Sequence, residues 1–114
     1  MKTKRNIRLH IDSSQTDKTV VALYDGNILM HENVSDQNHH SQVILPLIET
    51  CLAEKNCSFM DIATITVSLT SGSYIGRRVG LAIAKTLGVL YHVPVNGKPA
   101  ESVIEIPYEK DLFR

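Results

Sequence analysis

The sequence predicts a single α/β domain with a mixed five-stranded sheet in the order β-β-β-α-β-α-β, flanked by helices. Three observations lead there. The chain opens with an alternating run at Ile7 to Asp12, followed by a β-rich run, an Asp-Gly turn and a returning strand up to His31. Two later stretches carry apolar residues at helical spacing. Between them lies a run of Ile, Val and Thr, which suits a buried strand. A length of 114 residues fits one core and leaves little room for a deep cleft between two lobes.

Ile7, Leu9 and Ile11 alternate with Arg8, His10 and Asp12, the pattern of a half-buried strand. Ser13 to Lys18 is polar and turn-like. Thr19 to Tyr24 is a second strand, Asp25-Gly26 a hairpin turn and Ile28 to His31 a third strand, so the chain opens as an antiparallel meander. Asn33 to His39 reads as a polar connection. From His40 to Lys55, residues Val43, Ile44, Leu47, Ile48, Cys51 and Leu52 form one apolar stripe of a helix. Pro46 belongs in its first turn or at a kink, because proline has no N–H to donate. Leu45 widens the apolar surface, so this helix is expected to face the core on one side and a partner on the other. Asn56 suits the helix end, and Ser58 with Asp61 a short capping turn.

Ile62 to Leu69 reads as a buried strand, Ser71-Gly72-Ser73 as a loop and Tyr74 to about His92 as a helix. Val93 to Gly97 is expected to add the fifth strand, and Lys98 to Glu105 a last helical turn or two. Residues 1–106 then form the domain and residues 107–114 a tail.

Twelve basic residues balance twelve acidic ones, so no net charge points to a nucleic-acid surface. Aromatic residues make up 5% with no Trp, too few for base-stacking platforms. The basic N-terminus lacks the apolar stretch of a signal peptide, and no apolar run has the length of a membrane helix. A cytoplasmic protein with reduced Cys51 and Cys57 is therefore expected. His39 and His40 are adjacent and diverge on a helix, and His10, His31 and His92 add no ligand spacing, so no metal site is expected. No Ser-His-Asp or Cys-His pattern marks a hydrolase.

The stretch Leu69 to Gly88 raises two readings. Strand, then Thr-Ser-Gly-Ser, then helix is a geometry that can hold an anion, although the loop is neither a Walker A motif nor G-x-G-x-x-G. The helix itself carries Gly76, Gly80, Ala84 and Gly88 every fourth residue. Glycines on one helical face need compensation, which close approach of another backbone supplies. The expected neighbour is a second helix, from this chain or another. Val79, Ile83 and Leu87 form an adjacent stripe, expected to face the domain's own sheet.

Four motifs in register carry a family resemblance. Ile11-Asp12-Ser13-Ser14 followed by Val20-Val21-Ala22-Leu23 and Asp25-Gly26 resembles the opening of the bacterial TsaB (YeaZ) family. His40-Ser41-Gln42 through Pro46-Leu47-Ile48 is similar to that family's proline-containing helix. Ser71-Gly72-Ser73-Tyr74 through Gly80-Leu81-Ala82 resembles its glycine-rich loop and helix, and Val93-Pro94-Val95-Asn96-Gly97 the strand that follows. The resemblance covers residues 5 to about 103.

It implies an actin-like, ribonuclease-H-like lobe and a non-catalytic subunit for making the threonylcarbamoyladenosine modification of tRNA. That subunit pairs with a related TsaD-like catalytic subunit, is joined by a TsaE-like ATPase, touches tRNA only indirectly, and forms a homodimer alone. The interface expected from it is His40, Val43, Ile44, Leu47, Tyr74, Gly76, Arg77, Gly80, Ala84 and Gly88. The family's second lobe does not follow within these residues, so ATP is expected only with a partner subunit. Any nucleotide contact would use Asp12, Ser13, Ser14, Ser71, Gly72 and Ser73. For Asp12, a strand-end carboxylate that caps a turn is the competing reading. The metal-binding His-x-x-x-His of the catalytic relatives has no counterpart in residues 95–101. Two other readings remain: a small ATP-binding actin-like regulator or enzyme, and a degenerate homodimeric relative with an unrelated role.

Overall fold

The computed structural model describes residues 6–15, 17–36, 40–69 and 74–103. Strands β1 (Ile7–Asp12), β2 (Thr19–Asp25) and β3 (Ile28–Ser35) precede helix α1 (His40–Glu54), strand β4 (Ile62–Val67) and helix α2 (Tyr74–Tyr91). The sheet order is β3-β2-β1-β4, antiparallel from β3 to β1 and parallel between β1 and β4. The hairpin turns at Gly26, whose φ of 62° is the left-handed conformation such a turn requires.

Strand β3 runs past the expected end at His31 to Ser35. Pairing with Ala22 and Val21 of β2 overrides the polarity of Glu32 and Asn33, which an edge strand tolerates, and Val34 and Ser35 continue the ladder on Val20 and Thr19. The register slips between Leu23 and Tyr24, leaving Met30 as the extra residue of a bulge.

Ile7, Leu9 and Ile11 are fully buried, while Arg8, His10 and Asp12 on the opposite face are half-buried, as alternation requires. Both helices pack on the apolar face, α1 over β2 and β3, α2 over β1 and β4. Helix α1 contributes Ile44, Ile48, Cys51 and Leu52 to the core, and α2 contributes Leu81, Ala84 and Leu87.

Pro46 sits inside α1 rather than in its first turn. It lies on the exposed side, where water reaches the carbonyl that lacks its N–H partner. Asn56, at φ 53°, closes the helix, and Cys57 N–H bonds Leu52 O at 2.8 Å. The capping turn forms as expected, with Ser58 N–H donating to Asp61 Oδ2 at 2.9 Å.

The sheet has four strands, not five. Of Val93 to Gly97, Val95 alone forms a bridge, parallel to Ile65. Asn96 and Gly97 have φ of 49° and 79° and turn the chain at once. The Asn96 carboxamide takes the place of the missing strand: Val67 N–H donates to Oδ1 at 2.8 Å, and Nδ2 donates to Val67 O at 3.3 Å. Of the last helical segment, a 3-10 turn at Ala100–Ser102 forms, and the tail at 107–114 lies outside the described residues.

Candidate partner interface

The small-residue stripe of α2 faces the domain's own sheet. Gly76, Gly80, Ala84 and Gly88 are all buried within this chain. Gly80 lies on Ser13, Val67 and Ile11. A Cβ on Gly88 would stand 2.6 Å from that of Ala100 and 2.7 Å from Val93 O. The glycines do mark a close approach, but the neighbours are β1, β4 and the turn after α2, not a second helix. These four residues cannot meet a partner, which corrects the expected interface.

Ile44 is corrected for the same reason, since it is completely buried under α1. Val43 and Leu47 are half-buried, Leu47 against the core. Arg77 is half-buried and its Nη1 donates to Leu69 O at 2.8 Å, tying the first turn of α2 to the end of β4. His40 and Tyr74 open α1 and α2, and their side chains lie outside the described residues.

The opposite side of α2 is apolar and open. Val79, Ala82, Ile83, Thr86, Val89 and Leu90 follow one another at helical spacing, with Leu90 63% exposed. Helix α1 adds Leu45, 43% exposed. Leu45, Ala82, Ile83, Thr86 and Leu87 line a groove of about 200 Å³ between the helices. Beside it, Ala82, Lys85, Thr86, Val89 and Leu90 line a hollow of about 450 Å³. Sharing Ala82 and Thr86, the two form one trough along α2. The sequence carried this signal in Val79, Ile83 and Leu90. The glycines go inward instead of meeting a partner, while the adjacent stripe keeps its expected place: Leu87 is in the core and Val79 and Ile83 pack half-buried at its edge, leaving Ala82, Thr86, Val89 and Leu90 as the outward side.

The described half of the expected nucleotide site serves the fold. Asp12 Oδ1 accepts from Ser14 N–H at 3.0 Å and from Ser14 Oγ at 2.6 Å, which is the turn-capping role. Ser13 is fully buried and its Oγ donates to Gly76 O at 2.6 Å. Ser71, Gly72 and Ser73 lie outside the described residues. Among the described residues, no three His, Cys, Asp or Glu side chains converge as a metal site would need.

The sheet face away from the helices carries a polar chain. Arg8 stacks on Tyr24, 4.2 Å from its ring centre, and its Nη1 donates to Thr66 Oγ1 at 3.0 Å. Thr66 Oγ1 lies 2.8 Å from His10 Nδ1, and Ser68 Oγ 3.3 Å from His10 Nε2. Burial, then the Arg8 charge, hold the His10 pKa below its ordinary value against the opposing pull of Asp12 and Glu32.

Comparison with known proteins fits this architecture. The family model for TsaD, tRNA N6-adenosine threonylcarbamoyltransferase, matches residues 28–97. The tRNA threonylcarbamoyladenosine biosynthesis protein TsaB of Escherichia coli is 32% identical over 90 residues, 78% of this chain and 38% of that protein. A tRNA N6-adenosine threonylcarbamoyltransferase of Gloeothece citriformis is 34% identical over 93 residues, 82% of this chain and 25% of that one. The solved structure of YeaZ from Pseudomonas aeruginosa superposes with a TM-score of 0.72 at 21% identity, covering 79% of this chain and 43% of that one, a likeness of fold. The chain spans less than half the length of each of these relatives. No helix among the described residues is long and apolar enough to cross a membrane.

Proposed function

This chain belongs to the family of TsaD, tRNA N6-adenosine threonylcarbamoyltransferase, and resembles its TsaB relatives; on that premise we propose that it is a non-catalytic subunit of TsaB type. It pairs with a TsaD-type enzyme and holds that enzyme's lobe in the arrangement needed to modify tRNA adenosine. Alone, it pairs with a second copy of itself through the same face. The trough lined by Leu45, Ala82, Ile83, Thr86, Val89 and Leu90 supports this reading, because it leaves an apolar two-helix surface in water. The balanced charge fits a subunit that meets tRNA through its partner in the cytoplasm.

Light scattering tests it, first on the chain alone and then with the TsaD-type protein of the same organism. A homodimer that exchanges into a one-to-one heterodimer is the expected result. A monomer that ignores that protein overturns the reading. Micromolar ATP binding lost on Asp12→Ala would favour a nucleotide-binding role in its place.

A further inference from the structure

Helix α2 meets the sheet through a peg and a notch. Ser13, just past the end of β1, points its hydroxyl at Gly76 O, a carbonyl one helical turn before Gly80. A methyl group built on Gly80 would collide with Ser13 Oγ. The same methyl would stand 3.5 Å from Val67 Cγ1 and 3.6 Å from Ile11 Cγ2, both ordinary contact distances. One oxygen atom therefore limits how α2 can lie on β1. The far end of the helix is pinned separately, by Gly88 against Ala100 and Val93. Between the two pins the same helix carries Ala82, Ile83 and Thr86, the floor of the trough.

We infer that Ser13 is a positioning residue for the partner surface: its fit into Gly80 sets the depth and tilt of α2 beside α1, and with them the shape the partner meets. The inference rests on the trough being that surface. Ser13 touches no partner itself and acts wholly through the helix.

The test is a double-mutant cycle in the full chain: Gly80→Ala, Ser13→Ala and the pair together. Association with the TsaD-type protein is measured at a temperature where the variants are folded, alongside amide exchange of α2. Gly80→Ala should weaken association about tenfold or more, because the new methyl pushes the helix off its seat. Ser13→Ala in the same chain removes the obstructing oxygen and should return association to within about threefold of wild type. A folded Gly80→Ala chain that binds like wild type overturns the inference, as does a double variant no better than Gly80→Ala. If Gly80→Ala fails to fold, a double variant that folds and pairs supports the inference, and one that stays unfolded overturns it. If the wild-type chain does not pair at all, the proposed function falls, and α2 exchange still decides the peg. Protection lost in Gly80→Ala and regained in the double variant supports the seating role; protection not regained overturns it.

Discussion

Replacing Leu90 by lysine should weaken pairing about a hundredfold and leave the fold intact. Leu90 is 63% exposed in the last turn of α2. Complete burial of a leucine is worth about 1.5–3 kcal/mol, so covering the exposed part contributes about 1–2 kcal/mol to association. An ammonium group held against an apolar partner adds a desolvation penalty of about 1 kcal/mol or more, even when the side chain bends toward water. The total of about 3 kcal/mol corresponds to about a hundredfold rise in Kd. Stability should stay within about 0.5 kcal/mol, because lysine forms helix nearly as well as leucine and suits a helix C-terminus. Thermal unfolding and light scattering on the same samples read the two quantities separately. The contrasting variant is Gly80→Leu. A helix-helix stripe at Gly80 predicts a folded monomer, whereas its position over Ser13, Val67 and Ile11 predicts a chain that does not fold. A folded, unpaired Gly80→Leu together with a Leu90→Lys that pairs as tightly as wild type would refute the assignment of faces.

Acid should weaken the fold through His10. Its native pKa lies below the ordinary 6.5, so as pH falls through about 6.5 the unfolded chain takes up the proton first. The stabilisation is complete above that value and is lost on the way down to the native pKa; His10→Gln should flatten this limb in denaturant titrations between about pH 7.5 and pH 5. Burial raises the Cys51 pKa to about 11, so at about pH 8 only about one thiol in a thousand is ionised. A thiol reagent should therefore modify only Cys57 in the native chain and both cysteines after unfolding. Asn96→Ala should cost about 1–3 kcal/mol by leaving Val67 N–H without its acceptor. Asn96→Gly keeps the positive φ accessible and separates that loss from backbone strain. Ile44→Ala should cost about 2–5 kcal/mol in chemical denaturation, as expected of a core residue rather than a partner contact.

Most of the fold was legible because its signals are local. Alternation in Ile7 to Asp12, the Asp25-Gly26 turn and the two apolar stripes each rest on neighbours within a few residues, and the structure follows them. The misreadings arise where strand pairing or a competing turn signal overrides local composition. Glu32 and Asn33 join β3 because β2 lies beside them, which local polarity does not reveal. Val93 to Gly97 has the composition of a strand, yet Asn96-Gly97 is also a turn signal, and the turn prevails. The interface was half legible. Periodicity pointed to two apolar faces on α2, but a glycine stripe states only that something approaches closely. Whether that neighbour is the home sheet or a foreign helix depends on Ser13, sixty-three residues before Gly76.

The Asn96 carboxamide also gives the sheet a direction. Its two hydrogen bonds occupy the outer N–H and C=O of Val67, and the Val95 bridge occupies those of Ile65. An extended peptide seeking to lengthen the sheet finds the β4 margin already taken by a side chain and a single bridging residue. The other margin, β3, is interrupted by the Met30 bulge and carries Glu32. Strand-by-strand templating, the route by which sheets recruit misfolded copies, is thus obstructed at both borders. The pairing proposed above would use the helical side instead, where side-chain shape rather than backbone pairing selects what binds.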